Sequence, residues 1–66
     1  MDNVGAIIRS RRKEFGLTQA QLAKLAKVGV NTLAKIENDE GNPTVDILKR
    51  VLKTLGMQLT ATVIEV

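Results

Sequence analysis

The chain has 66 residues with no cysteine and no histidine, so it is one domain at most and lacks disulfides, thiolate metal sites and the commonest general base. A chain of this length buries only roughly 60% of its unfolded surface on folding, so its hydrophobic core is marginal. The net charge of +3 and the pI of about 9.7 favour an anionic partner, although the positions of the basic residues matter more than their total.

No apolar run approaches the roughly 20 residues that span a bilayer. The N-terminal segment MDNVGAIIRS lacks the charge-then-apolar order of a signal peptide. We therefore expect a soluble cytoplasmic protein without a membrane partner. The acidic residues are scattered, and no pair of them is expected to share a face with a nucleophile, so the sequence favours neither an enzyme nor a cofactor.

The first predicted helix covers residues 3–15. Its apolar residues recur at helical spacing and share one face with either Arg11 or Arg12. They are Val4, Ile7, Ile8 and Phe15. Gly16 is expected to end this helix in a left-handed conformation.

Two short helices follow, at 19–26 and 30–38. Thr18 is a good N-cap for the first of them, and the small Ala23 would let the two helix axes approach closely. The apolar stripes are Leu22, Ala23, Leu25 and Ala26 in one helix and Val30, Leu33 and Ile36 in the other. Two short helices joined by so tight a turn predict a helix-turn-helix, whose second helix enters the DNA major groove.

Residues 38–43 are rich in turn formers and predict a loop, which Pro43 closes by disfavouring helix at Asn42. Thr44 is expected to cap a fourth helix that Gly56 stops. The apolar residues of this helix repeat at intervals of three and four, and they are Val45, Ile47, Leu48, Val51, Leu52 and Leu55.

Residues 57–66 change to a period of two, which favours a β-strand. One face of this strand would carry Met57, Leu59, Ala61 and Val63. A lone strand needs a partner edge, and the simplest is the same strand in a second copy related by a two-fold axis; the alternative is a frayed terminus. The predicted organisation is a DNA-binding domain at 1–56 and a dimerisation strand at 57–66.

A set of residues at fixed spacing resembles the Cro-type, or XRE, helix-turn-helix family of phage repressors and bacterial regulators. The set is Leu17, Thr18, Gln19, Leu22, Ala23, Val28, Asn31, Thr32, Ile36, Glu37, Asn42, Pro43 and Thr44. The resemblance covers residues 4–56 and implies a mainly α, four-helix, lambda-repressor-like domain, here with a C-terminal β-strand that pairs across a homodimer. Lys27 stands where the family usually has glycine, and Gly29 where it usually has a serine or threonine cap.

The outer face of the third helix is the candidate surface for reading DNA bases. Leu33 and Ile36 should point at the core. The opposite face carries Val30, Asn31, Ala34 and Lys35. Asparagine can pair with adenine, lysine can donate to guanine, and an apolar side chain can touch a thymine methyl group. The alternative is that Asn31 is a second cap and Lys35 a solvated surface lysine.

Phosphate contacts are predicted at helix ends. The N-terminus of the second helix offers unpaired N–H groups and a positive dipole end, and Gln19 beside it resembles the family glutamine that binds the DNA backbone. The predicted phosphate-binding residues are Thr18, Gln19, Lys27, Thr32 and Asn38. For each lysine the alternative is a solvated charge. Arg12 and Glu37 match an ion pair of the family, so the resemblance implies a structural salt bridge between the first and third helices.

These features predict a homodimeric, sequence-specific repressor that binds a pseudo-palindromic operator in double-stranded DNA, in the nucleoid-associated fraction of a bacterial cytoplasm. The tail also resembles that of the HipB-like antitoxins, whose C-terminal strand pairs across the dimer. That resemblance suggests the antitoxin of a toxin–antitoxin operon, with a toxin protein as a further partner. The alternative is an interaction adaptor that neutralises a partner protein, with DNA binding secondary or lost.

Overall fold

The computed structural model describes residues 4–59, which form four helices in the predicted order. They are α1 (Val4–Glu14), α2 (Gln19–Ala26), α3 (Val30–Glu37) and α4 (Val45–Thr54). The mainly α, four-helix fold is therefore confirmed. No helix in this part of the chain has the length and apolar character needed to cross a membrane.

Threonines begin α2 and α4. Thr18 Oγ1 accepts a hydrogen bond from the Gln21 N–H at 3.1 Å, and the Gln21 side chain accepts one from the Thr18 N–H at 2.8 Å. This reciprocal pair is a capping box. Thr44 Oγ1 likewise accepts from the Ile47 N–H at 3.1 Å. Gly29 is the N-cap of α3, so no side chain of the N-cap residue bonds to the first turn of that helix.

All four helices end in the same turn, in which a residue with positive φ folds the chain back. These residues are Gly16 (φ 68°), Lys27 (φ 58°), Asp39 (φ 56°) and Gly56 (φ 71°). At the end of α4, the Gly56 N–H donates to the Lys53 carbonyl at 3.0 Å and the Met57 N–H to the Leu52 carbonyl at 2.8 Å. The other three ends repeat this pairing, which is the Schellman motif.

The core lies where α1 and α2 pack on α3 and where α4 packs on α2. Its buried apolar residues are Ile8, Leu22, Ala23, Ala26, Leu33, Ile36, Leu48, Val51, Leu52 and Leu55. Leu17, Val28 and Met57 follow the left-handed residues of α1, α2 and α4, and each packs against this core. The helix ends therefore contribute apolar contacts as well as hydrogen bonds.

Five residues of the predicted apolar stripes are exposed, namely Ile7, Phe15, Leu25, Val30 and Val45. For Val30 this agrees with its second assignment, to the outer face of the third helix. On α1, residues four positions apart form two adjacent stripes, one with Ile8 and Arg12 and one with Ile7, Arg11 and Phe15. The stripe of Ile8 and Arg12 faces the core because Arg12 has a buried partner on α3. Leu25 lies outside the arc of α2 that faces the core, and Val45 begins α4 at its exposed end.

Arg11 belongs to the outer stripe of α1. Its guanidinium carbon lies 4.8 Å from the centroid of the Phe15 ring, a cation–π arrangement. Its Nε donates to the Leu55 carbonyl oxygen at 3.1 Å and so joins α1 to the end of α4. Of the two arginines that the sequence left open, Arg12 faces the core and Arg11 does not.

The predicted strand at 57–66 falls mostly outside the described residues. Residues 57–59 form no strand, because the Met57 N–H belongs to the turn that ends α4 and both Met57 and Leu59 are half-buried against the core. In the single chain, Met57 therefore belongs to the turn that ends α4. Ala61 and Val63 lie outside the described residues, so pairing across a homodimer stays a prediction.

The N-terminus of α1 packs on the C-terminal end of α3 through Gly5. The Gly5 N–H donates to Asp39 Oδ1 at 3.2 Å. A Cβ atom added to Gly5 would overlap the Ile36 carbonyl oxygen and would lie 2.8 Å from both the Glu37 carbonyl oxygen and Asp39 Oδ1. Glycine is therefore required for this close approach of the two helices. No sequence pattern predicted this contact.

Candidate nucleic-acid interface

The two faces of α3 differ as the sequence predicts. Leu33 and Ile36 are buried in the core. The opposite face, which we call the recognition face, consists of Val30, Asn31, Ala34 and Lys35. All are exposed except Ala34, which is half-buried. The recognition face therefore offers an amide, an ammonium group and small apolar side chains to solvent, the types of group that read base edges in a major groove.

A buried hydrogen-bond network holds the end of α3 against α1. Arg12 Nε lies 2.7 Å from Glu37 Oε2, and Arg12 Nη2 lies 2.9 Å from Glu37 Oε1. The pair is thus bidentate, and its side chains are only 10% and 1% exposed. Arg12 Nη1 also donates to the Leu17 carbonyl oxygen at 2.8 Å. In residues 4–59 no buried polar side-chain atom lacks a partner.

The electrostatics of the pair keep both groups charged. Burial raises the pKa of Glu37, but the hydrogen bonds from Arg12 and Gln19 and the positive charges of Arg12 and Arg9 together outweigh it, so the pKa is lowered from its ordinary value of 4.5. The hydrogen bond to Glu37 raises the pKa of Arg12 above its ordinary value in spite of burial. The network therefore fixes α3 with an ionised salt bridge at neutral pH.

Gln19 belongs to the same network. Its Nε2 donates to Glu37 Oε1 at 3.2 Å, so the first residue of α2 is tied to the last residue of α3. A glutamine amide carries two hydrogens. One of them is donated to Glu37. The phosphate contact assigned to Gln19 from the sequence stays a prediction. Sequence reasoning did not predict the bond to Glu37, because the two residues are far apart in the chain.

The N-terminus of α2 has the geometry of an anion site. Thr18 is exposed, and its hydroxyl oxygen accepts the hydrogen bond from the Gln21 N–H in the capping box. The N–H groups of Gln19 and Ala20 precede the first intrahelical hydrogen bond, which Leu22 donates to the Thr18 carbonyl at 3.0 Å. These two groups stand at the positive end of the helix dipole, where a phosphate oxygen is favoured.

The other predicted phosphate contacts lie along or beside α3. Lys27 is exposed in the left-handed turn before the helix, and Asn38 is exposed directly after it. Thr32 is half-buried within the helix. An eight-residue helix is about 12 Å long, so Lys27 and Asn38 bracket it at the two ends.

Arg9 was not predicted as part of this site. It is exposed on α1 three residues before Arg12, which places the two on neighbouring turns of one side of the helix. Its charge acts on the buried Glu37 carboxylate. Arg9 therefore adds positive potential near the junction of α1, α2 and α3, and the three-residue spacing from Arg12 was the sequence signal that could have identified it.

The geometry defines a class of protein. A short amphipathic helix presents its outer face to solvent between a tight left-handed turn at one end and a buried ion pair at the other, which is the arrangement of a helix-turn-helix domain. Within residues 4–59 no group of acidic side chains could hold a metal ion.

Comparison with known proteins identifies the family. The family model described as "Helix-turn-helix" matches residues 8–61, and the chain belongs to this XRE-type helix-turn-helix family. It is 45% identical over 60 residues to the immunity repressor protein of Bacillus phage phi105, which covers 91% of this chain and 42% of that protein.

Two further relatives are regulators. The chain is 41% identical over 59 residues to the uncharacterized HTH-type transcriptional regulator y4mF of Sinorhizobium fredii, covering 86% of this chain and 75% of that protein. It is 43% identical over 58 residues to the regulator SlrR of Bacillus subtilis, covering 86% of this chain and 38% of that protein. The chain thus spans less than half the length of the phage repressor and of SlrR.

Proposed function

We propose that this chain binds double-stranded DNA as a homodimeric transcriptional repressor, with α3 in the major groove. The observation that carries the proposal is the exposed recognition face of α3, held by the buried Arg12–Glu37–Gln19 network. The names of relatives support the same function, since they include an immunity repressor and several transcriptional regulators. Repression follows when the bound dimer blocks access to a promoter.

Base readout is assigned to Asn31 and Lys35, with Val30 and Ala34 touching methyl groups. A preferred duplex can be selected from a random pool and used to measure affinity by fluorescence anisotropy. Asn31→Ala or Lys35→Ala should cost about 1 to 3 kcal/mol on that duplex and relax the preference at one base pair in each half-site. Binding to unrelated duplexes should change little.

The matched control for this prediction is Lys49→Ala, which removes an exposed lysine from α4, away from the recognition face. It should leave the sequence preference intact. If Lys35→Ala lowers the affinity for every duplex equally, Lys35 contacts phosphate and reads no base. An absence of duplex binding at low salt would refute the proposed function.

Lys27 allows a second prediction because it combines a strained backbone with a proposed phosphate contact. Its left-handed φ of 58° disfavours a side chain, so Lys27→Gly should raise the free energy of unfolding by about 1 kcal/mol. The same variant should make the slope of log affinity against log salt shallower by about 0.9. The control Lys24→Ala changes an exposed lysine of α2 and should leave the slope unchanged.

The two readouts of Lys27→Gly are independent. A more stable variant with an unaltered salt slope would show that Lys27 is a solvated charge with no phosphate contact. A variant that is no more stable would show that the turn accommodates the lysine without strain.

Dimerisation is assigned to the C-terminal segment. An antiparallel pair of these segments would place two copies of α3 in successive major grooves, about 34 Å apart on a pseudo-palindromic operator. Deleting residues 60–66 leaves Met57 and Leu59 on the core. It should therefore give a folded monomer whose operator affinity is at least about 100-fold weaker, because a monomer binds one half-site and a dimer binds both at once.

Sedimentation equilibrium of the full chain and the truncated chain at micromolar concentration checks this prediction. A truncated protein that stays dimeric would refute the role of the segment, and a full-length monomer would refute the dimer itself. The antitoxin function rests on this same tail and stays a prediction. Co-purification of a toxin protein expressed from the neighbouring gene would test it.

A further inference from the structure

A groove separates the C-terminal end of α2 from the C-terminal half of α4, and Lys27 is the one residue of its lining that is also a proposed DNA contact. Its volume is about 470 Å³. The residues that line this α2–α4 groove are Leu25, Ala26, Lys27, Arg50, Lys53 and Thr54. Ala26 is buried beneath it, so the groove has an apolar base.

The charges that line the groove are all positive. Lys27, Arg50 and Lys53 contribute cations, and no carboxylate is among the lining residues. Arg50 is held in place from two sides: its Nη1 donates to the Lys27 carbonyl oxygen at 3.4 Å, and its Nη2 lies 3.0 Å from Asp46 Oδ2. That salt bridge is solvent-exposed and leaves most of the positive potential in place.

Leu25 gives the groove an apolar contact point. Its side chain is 59% exposed, more than any other large apolar residue among residues 4–59. A single exposed leucine is ordinary on a protein surface. Here it stands beside three cations in a concave site, and that combination complements a ligand with both carboxylates and an apolar side chain.

The position of the groove favours a protein as the ligand over DNA. The groove lies between α2 and α4, and no residue of α3, and so none of the recognition face, is among its lining residues. Phosphates could pair with the lysines but would leave the leucine in water. We propose that the α2–α4 groove binds an acidic segment of a partner protein that places an apolar side chain on Leu25. This inference does not depend on the proposed operator binding.

The test uses the full chain and a fluorescein-labelled synthetic helical peptide of about a dozen residues. One face of this peptide carries two leucines at helical spacing, with glutamates beside them on the same face. Fluorescence anisotropy measures its affinity, and amide chemical shifts locate it. Changes should concentrate at Leu25, Lys27, Lys53 and Thr54. A peptide with serine in place of leucine, and one with lysine in place of glutamate, should each bind at least about fivefold more weakly.

Two variants test the groove itself. Leu25→Ala should lower the affinity for the peptide about fivefold, because it removes apolar contact. Lys53→Glu should lower it about tenfold, because it reverses a charge. Matched controls are Val45→Ala, at a residue that is 57% exposed, and Lys13→Glu on α1. Neither control should change the affinity. All four residues are exposed, so circular dichroism should show the same helix content in every variant.

Three results would overturn the proposal. Equal weakening by Lys53→Glu and Lys13→Glu, with no effect of Leu25→Ala, would show attraction to net charge without a site. Chemical-shift changes spread over every exposed lysine would show the same. A larger loss of duplex affinity with Lys53→Glu than with Lys13→Glu, with no effect of Leu25→Ala on the peptide, would assign the groove to DNA.

Discussion

Glu37→Gln should lower the free energy of unfolding by about 3 to 5 kcal/mol, because it leaves the buried Arg12 guanidinium without a counter-charge. The two side chains are 10% and 1% exposed and share two hydrogen bonds, so solvent cannot replace the lost carboxylate. A domain of 66 residues has a total stability of only about 3 to 10 kcal/mol. The variant should therefore lose a large part of the stability of the domain.

Thermal melts at fixed concentration measure this effect. Each kcal/mol shifts the melting temperature of a small domain by about 4 to 8 °C, so the expected fall exceeds about 12 °C. The matched control is Glu14→Gln, since Glu14 forms an exposed salt bridge with Arg11 on the surface of α1. That change should stay within about 1 kcal/mol. A similar small shift for Glu37→Gln would refute the structural role of the buried pair.

The difference in stability between the wild type and Glu37→Gln should depend on pH in a defined direction. The pKa of Glu37 is lower in the folded protein than its ordinary value of 4.5. Its stabilisation is therefore fully present above the unfolded pKa and is lost as pH falls through the lowered one. The stability gap between the wild type and Glu37→Gln should be constant near neutral pH and should close in acid. A gap that is unchanged into strong acid would contradict the lowered pKa.

A double variant distinguishes the effect of the buried network on the stability of the fold from its effect on the position of α3. Replacing both Arg12 and Glu37 by methionine removes the two buried charges together, which costs much less than leaving one of them unpaired. The double variant should therefore be more stable than Glu37→Gln. It also removes the acceptor of Gln19. If the network positions α3 on DNA, the recovered fold should still bind the selected duplex more weakly than the wild type.

The helix limits could be predicted because local residues set them. Thr18 and Thr44 cap their helices through their own side chains, and Gly16 and Gly56 end helices in a conformation that glycine adopts without strain. Asp39 ends α3 in the same way without any glycine. The sequence therefore identified the loop at 38–43 but not the left-handed turn that begins it.

Which stripe of α1 faces the core could not be predicted from periodicity. Ile7 and Ile8 are neighbours, and a period of 3.6 residues allows either to face inward. The choice depends on Arg12, whose partner Glu37 lies 25 positions along the chain. The family resemblance supplied that partner, whereas the bond from Gln19 to the same carboxylate appears only when α2 and α3 are packed together.

Gly5→Ala should destabilise the domain by about 1 to 3 kcal/mol, although alanine is the better helix former by about 1 kcal/mol. The added methyl group would overlap the carbonyl oxygen of Ile36 and crowd that of Glu37. Backbone oxygens at a helix end cannot rotate away as a side chain can. The N-terminus of α1 must therefore move off α3, and the hydrogen bond from the Gly5 N–H to Asp39 Oδ1 is lost with it.

Asp39→Gly distinguishes the two sources of this crowding. Glycine keeps the left-handed turn but removes the carboxylate that lies 2.8 Å from the added Cβ position. If the backbone oxygens of Ile36 and Glu37 cause the strain, Gly5→Ala should cost about as much in the Asp39→Gly background as in the wild type. If the carboxylate causes it, the cost should largely vanish there. Urea unfolding of the four proteins measures the difference, and a Gly5→Ala variant as stable as the wild type would show that α1 does not need this close approach to hold α3 in place.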